Sequence, residues 1–375
     1  KNAVDGNNVP FVVGMTGNAA GVTWSGAAGD AAPSLPADDK TMFRIFSMTK
    51  AVGSTAAMIL VDQGKLDFDT PVEEILPEFA NIKRLDGFEG DSPKLVSPST
   101  KATVRHLATH TSGFVYEFWN TEIPRYMEAT GHPTVLSGLK SSMFYPLAFE
   151  PGTRWDYGIG IDWLGLVVEA VDGRRINQFV QEEILDPLGM NDTKYEVDEA
   201  DMKRMAAIGA RGEDGQFGPF ELAPPPNPEV YGMGHALYST PTDYMRFLRS
   251  FLNKGQLDGN RILSEAGVDS MLENHIGDIR IGKMLTVSPP VTADFDPFPD
   301  QGKTHSFGFL RMEDDVPGMR PAGSQSWAGV LNTHYWFDLS NDVAAVIMTQ
   351  SLPFVEPPFM EVYENFERAV YAGLN

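Results

Sequence analysis

Apolar positions along the chain change period from strand-like to helical and back. Between residues 10 and 24, short β-prone runs alternate with Gly-Asn and Gly-Val breaks, which predicts an opening hairpin of residues 11–15 and 21–24. Phe43-Arg44-Ile45-Phe46 then leads into residues 47–63, where Met48, Val52, Ala56, Ile59 and Leu60 recur at helical spacing until Gly64. From about 70 to 230 helix patterns and long loops dominate, with helices predicted over 163–171 and 176–185, the second stopped by Asp186-Pro187. Ala223-Pro224-Pro225-Pro226-Asn227-Pro228 reads as a stiff connector. Beyond it residues 241–252 are helical, 306–312, 330–337 and 343–349 are strand-like, and an amphipathic helix spans 360–372.

Strands at both ends with helices between predict an α+β fold: an antiparallel sheet built from both chain termini, flanked by helices, with an inserted and mostly helical domain. The expected division is 1–70 with 231–375 as the sheet-bearing α/β domain and 71–230 as the helical domain. The active site is expected in the cleft between them.

Composition narrows the function classes. The 375 residues are 42% hydrophobic and 21% charged, enough to bury a large core. A formal net charge of -22, with no clustered lysine and arginine, repels nucleic acid and anionic lipid surfaces. There is no cysteine, which removes thiolate nucleophiles, disulfides and cysteine-bound metals while permitting an oxidising compartment. No run approaches the eighteen or so apolar residues that span a bilayer. The chain opens on Lys1-Asn2 without an apolar leader-like run, which leaves a removed leader and a missing start equally open.

Three segments carry chemistry. Ser47-Met48-Thr49-Lys50 sits where a strand-like run gives way to a strongly apolar helix. Residues i and i+3 share a helix face, so Lys50 can reach the Ser47 hydroxyl, and the helix N-terminus aims its N–H groups at an oxyanion. Burial under apolar neighbours would lower the Lys50 pKa and make it a base. The plainer account is a capping serine beside a solvated lysine. A second match, Ser137-Gly138-Leu139-Lys140, lacks the helix. Tyr157, in the Gly-flanked turn Pro151-Gly152-Thr153-Arg154-Trp155-Asp156-Tyr157-Gly158, offers a phenol for proton transfer, or is simply structural. Ser326-Trp327-Ala328-Gly329-Val330 enters a strand with small residues, where a free N–H completes an oxyanion hole or a turn merely precedes a core strand.

Taken together, these segments resemble the serine hydrolases of the penicillin-binding-protein and class C β-lactamase superfamily, and within it most closely the family VIII carboxylesterases. Thr103-Val104-Arg105-His106-Leu107-Ala108-Thr109-His110-Thr111-Ser112-Gly113, Leu185-Asp186-Pro187-Leu188-Gly189-Met190 and Gly234-His235-Ala236-Leu237-Tyr238-Ser239-Thr240 are also similar to landmarks of that superfamily. The resemblance implies Ser47 as nucleophile, Lys50 as its activating partner and Tyr157 as the tyrosine of the second motif. It implies an oxyanion hole from the N–H groups of Ser47 and Val330, and Trp327-Ala328-Gly329 in place of Lys-Thr-Gly. No metal and no cofactor is implied, and the partner is a small-molecule ester, with oligomeric state open. Two departures weaken β-lactam recognition: Ile159 stands where those relatives carry asparagine, and Trp327 replaces the third-motif lysine. A β-lactamase, a D-amino-acid peptidase or amide hydrolase, an acyltransferase and a non-catalytic binder remain as alternatives.

Further residues are expected around the substrate. Trp327 and Gly329 belong to the third motif, and the aromatic run Phe114, Tyr116, Phe118 and Trp119 either lines an acyl pocket or forms local core. The Pro-rich loop 288–299, with Phe295 and Phe298, is expected to overhang the cleft. His106 and His110 lack the glutamate of a zinc-protease helix, so they are expected to hold the Thr111-Ser112-Gly113 turn by hydrogen bonds. Neither a Gly-x-Ser-x-Gly elbow nor a complete phosphate loop is present, since Pro297 stands where Gly302-Lys303-Thr304 would need a glycine.

Overall fold

A computed structural model describes residues 1–374. Both chain ends enter one seven-stranded sheet, as the strand pattern predicts. Its strands are β1 (Val12–Gly17) and β2 (Val22–Ala28), then β3 (Lys303–His305), β4 (Leu310–Met312), β5 (Gln325–Gly329), β6 (Thr333–Asp338) and β7 (Val343–Met348). The order is β3-β4-β5-β6-β7-β1-β2, and every neighbouring pair is antiparallel. Four helices frame it: α1 (Thr49–Asp62), α2 (Gly160–Asp172), α3 (Pro241–Leu252) and α4 (Pro357–Ala372).

Alternation along the central strands assigns each face. Tyr335, Phe337, Ala344, Val346 and Met348 enter the main core, while Trp336, Ala345 and Ile347 meet Phe359, Tyr363 and Tyr371 of α4. Helix α1 is buried on all sides from Thr49 to Leu60, so it is a core helix and not an amphipathic surface one. Met233 lies between α1 and α2. A Cβ on Gly53 or Gly165 would come within 2.8 or 2.7 Å of its side chain, so the two glycines let the helices close around it.

Several boundaries differ from the pattern. The expected strand 306–312 is a turn followed by β4: Gly308 takes φ +109 against Ser54, and Ser306 N–H bonds back to the Phe309 carbonyl. The expected strand 330–337 begins only at Thr333, because Asn332 in the left-handed region closes a turn on the Gly329 carbonyl. The helix from Ile176 continues past Asp186-Pro187 to Leu188, and Gly189 at φ +63 ends it. Within the stretch expected to be helical, Arg84–Glu89 and Ser92–Val96 form a hairpin, and Ile208–Arg211 pairs with Phe217–Phe220 and, in parallel, with Ser351–Leu352. Among the described residues no helix is long and apolar enough to cross a membrane.

Candidate active site

The approach to Ser47 is tightly held. Phe43–Arg44 pairs with Tyr238–Ser239, and the Ile45 N–H donates to the Leu237 carbonyl. Phe46 then takes φ +41, a conformation that costs a bulky residue roughly 1–3 kcal/mol. The short turn Phe46–Met48 delivers Ser47 at the N-terminal end of α1. Strand β5 ends against this turn. A Cβ on Gly329 would stand 2.2 Å from the Ile45 carbonyl oxygen, so glycine is required for the approach that brings Val330 beside Phe46 and Ser47.

Lys50, the second residue of α1, is 1% exposed. Its Nζ lies 3.2 Å from Ser47 Oγ, 3.0 Å from the Tyr116 hydroxyl and 2.8 Å from the Gly234 carbonyl. Burial pushes its pKa down to about 7, against the opposing pull of the Asp162 carboxylate. The other Ser-x-x-Lys segment is unlike it: Lys140 is half exposed and pairs with Glu78 at 3.3 Å.

Tyr157 is seated by its neighbours. Gly158 runs so close to the Phe114 carbonyl that a Cβ would stand 2.2 Å from its oxygen, and the Tyr116 N–H donates to the Tyr157 carbonyl at 2.9 Å. The two phenol rings therefore flank Lys50, with Nζ 5.1 Å from the Tyr116 centroid and 4.8 Å from that of Tyr157. Burial raises the Tyr157 pKa, although hydrogen bonds with Ser47 and with the Trp327 indole N–H (3.2 Å) work the other way. Tyr157 is thus a neutral phenol in the resting site.

His106 holds the Thr111-Ser112-Gly113 turn through its backbone carbonyl, which accepts the Thr111 N–H at 3.1 Å, while both imidazoles are engaged elsewhere. His106 Nδ1 accepts the Thr103 N–H in a capping box at the start of Val104–Ala108. His110 Nδ1 accepts the Gly158 N–H at 3.5 Å, and its ring stands edge-on to Tyr157 at 4.8 Å. Full burial keeps His110 neutral, which suits a wall beside the phenol.

A cleft with an empty volume of about 680 Å³ opens over these groups. Of the expected substrate residues, Tyr116, Trp119 and Trp327 line it, together with Phe118, Ala328 and Val330. Phe114 does not: it is core, packed against Phe79, Tyr145 and Trp163. Gly329 does not line it either, being pressed against Ile45. The Pro-rich loop contributes Val291, Thr292 and Phe295, whereas Phe298 lies elsewhere, against Arg320. Phe46, Leu136, Leu222, His235, Met284 and Phe354 complete the wall, and no local pattern singles them out.

Asp162 and His235 form a polar pair that motif reasoning misses, although His235 lies in the Gly234–Thr240 landmark segment. Asp162 is fully buried on the first turn of α2, accepts the Gly234 N–H at 2.9 Å and stands 3.3 Å from His235 Nδ1. The signal for their pairing is the glycine pair Gly232 and Gly234, which leaves room for them.

Comparison with known proteins gives the chain its relatives. The family model described as Beta-lactamase matches residues 11–367. Lovastatin esterase of Penicillium rubens is 31% identical over 340 residues, covering 87% of this chain and 84% of that protein. Monacolin J acid methylbutanoyltransferase of Aspergillus terreus is 29% identical over 355 residues, covering 91% and 84%. The crystal structure of unliganded simvastatin synthase (LovD) from Aspergillus terreus, as its selenomethionyl derivative, superposes with a TM-score of 0.86 at 25% identity. It covers 99% of this chain and 96% of that one.

Proposed function

This chain belongs to the Beta-lactamase family, and we propose that within it the protein is a serine carboxylesterase that opens small esters through an acyl-enzyme on Ser47. The observation that carries this reading is the contact of Lys50 Nζ with Ser47 Oγ at 3.2 Å, made by an amine whose burial brings its pKa to about 7. An amine so tuned is neutral in an appreciable fraction of molecules at neutral pH and accepts the serine proton as Oγ attacks the ester carbonyl. The N–H groups of Ser47 and Val330 receive the oxyanion. The proton reaches the departing alkoxide by way of the Tyr157 hydroxyl, which burial keeps protonated until that moment. Water or a second alcohol then resolves the acyl-enzyme through the same groups.

The cleft wall supports an apolar acyl group and a neutral ester. Phe46, Phe118, Leu136, Leu222, Phe295 and Phe354 present hydrocarbon, and Trp327 supplies no cation where a β-lactam carboxylate would need one. The second reading, acyl transfer to an alcohol, is favoured by the likeness to the methylbutanoyltransferase.

The test is an assay of wild type and Ser47→Ala on p-nitrophenyl esters from acetate to laurate, with a chromogenic cephalosporin alongside. A fluorophosphonate label, located by mass spectrometry, reports the nucleophile. Ester turnover and a label on Ser47, both lost in the variant, are expected. Substantial esterase activity in Ser47→Ala would sink the proposal, and cephalosporin turnover matching that of short esters would move the assignment to a lactamase.

A further inference from the structure

His235 takes no part in the scheme above, yet it lines the same cleft as Ser47, Tyr157 and Trp327. Two glycines are shaped around it and its partner. A Cβ on Gly232 would lie 2.3 Å from the imidazole Cε1, and one on Gly234 would lie 2.3 Å from Asp162 Oδ2. The pair is therefore a built feature of the cleft wall and not a surface contact.

Asp162 decides which imidazole nitrogen carries the proton. Burial works to raise the carboxyl pKa, but the neighbouring His235 ring, the charge of Lys50 and the Gly234 N–H outweigh it and keep Asp162 ionised. An ionised carboxylate only accepts, and His235 Nδ1, buried without a hydrogen-bond partner, lies 3.3 Å from it, so the carboxylate charge favours the tautomer with its proton on Nδ1. In the neutral ring Nε2 is then a pure acceptor, and it is the nitrogen left to the cleft. Most other polar groups of the wall are already engaged. Tyr116 accepts from Lys50, Tyr157 is tied to Ser47 and Trp327, and Thr292 is bonded to Thr286. An unused acceptor beside an acyl-enzyme calls for an O–H donor.

We propose that His235, its tautomer set by Asp162, receives the hydroxyl of the acyl acceptor and so governs whether water or an alcohol resolves the acyl-enzyme. This rests on the acyl-enzyme reading of Ser47. An alcohol lays its carbon chain on the apolar wall while its hydroxyl donates to Nε2, so it is held better than water. His235 is thus a specificity-determining residue of the second half-reaction, where its loss is felt more than in acylation.

The test uses the full chain with p-nitrophenyl butyrate, with and without 1-butanol. The value of kcat/KM for p-nitrophenol release reads acylation, and the ratio of butyl butyrate to butyrate reads partition. His235→Leu is expected to lower the ester-to-acid ratio at least about tenfold and to lower it more than it lowers kcat/KM. His235→Gln, whose carboxamide oxygen reaches the place of Nε2, is expected to retain most of the ratio. An unchanged ratio in His235→Leu overturns the proposal. If that variant loses kcat/KM through misfolding, His235→Gln and the shorter His235→Asn decide, and equal ratios in those two overturn it. A wild type without serine labelling fails differently, since it removes the acyl-enzyme itself.

Discussion

The Lys50 amine that touches Ser47 also donates to the Tyr116 hydroxyl, 3.0 Å away, so a tyrosine outside the three motifs holds the proposed base. Tyr116 and Tyr157 are coupled by the hydrogen bond from the Tyr116 N–H to the Tyr157 carbonyl, and their rings lie 5.0 Å apart. The two phenols therefore form one rigid cradle for the ammonium, with the Gly234 carbonyl as its third contact.

Removing one arm of that cradle is expected to be visible in the pH profile. In Tyr116→Phe the ammonium loses an acceptor, while neutral Lys50 loses little. A hydrogen bond to a charged group is worth about 1.5–3 kcal/mol, and one pKa unit is about 1.4 kcal/mol. The rising limb of kcat/KM should move acidward by about one unit, with a loss of about tenfold in the plateau from poorer positioning. Esterase assays from pH 5 to 9 check this, and an unmoved limb would assign Tyr116 to packing alone.

The wild-type profile has its own sign. Lys50 acts as a base only when neutral, and burial brings its pKa from 10.5 down to about 7. Activity should therefore fall about tenfold per unit below that value and level off above it. Lys50→Arg, which stays charged throughout, is expected to lose at least about a thousandfold at every pH, with no limb left to measure.

Ser47 and Lys50 are legible in the sequence because their relation is local: three residues apart at the start of an apolar helix. Tyr157 is legible because its glycine-flanked turn is. The rest depends on contacts between distant segments. An aromatic run predicts that Phe114, Tyr116 and Trp119 share a pocket, but the irregular loop turns Phe114 into the core against Phe79, Tyr145 and Trp163. Asp162 and His235 meet only when α2 packs beneath the Gly232–Gly234 turn, and nothing near either residue announces the other. The strand ends are blurred for a different reason. Apolar composition continues through the turns at Gly308 and Asn332, and it is their backbone conformation that breaks the strands.

Gly158 offers a test of the close approach that seats Tyr157. An alanine methyl there would stand 2.2 Å from the Phe114 carbonyl oxygen and 2.7 Å from the Val115 nitrogen, both backbone atoms that cannot rotate away. Gly158→Ala is expected to destabilise the protein by about 2 kcal/mol or more and to shift the Tyr157 register against Tyr116. Urea unfolding followed by tryptophan fluorescence measures the first effect. A variant with wild-type stability and activity would show that the two segments can part without consequence.

The Trp327 indole separates packing from proton transfer. Its ring stacks among His110, Trp155, Tyr157 and Phe295, while its N–H donates to the Tyr157 hydroxyl at 3.2 Å. Trp327→Phe keeps much of the ring contact and removes the donor. That bond stabilises the ionised phenol, so its loss makes Tyr157 harder to deprotonate. If the phenol only donates to the leaving oxygen and is refilled from Lys50, the change should cost a few-fold at most. If it must pass through a phenolate, kcat and kcat/KM should fall together by about tenfold or more, since the interaction would be made only in the transition state. The resting site, where burial keeps Tyr157 protonated and Lys50 is already a competent base, predicts the smaller loss, with poor leaving groups such as butyl esters affected more than p-nitrophenyl esters. Assays on both ester types, with thermal unfolding to correct for the void left by the smaller ring, distinguish the two. A tenfold loss on p-nitrophenyl esters, whose leaving group needs no proton, would transfer the role of base from Lys50 to Tyr157.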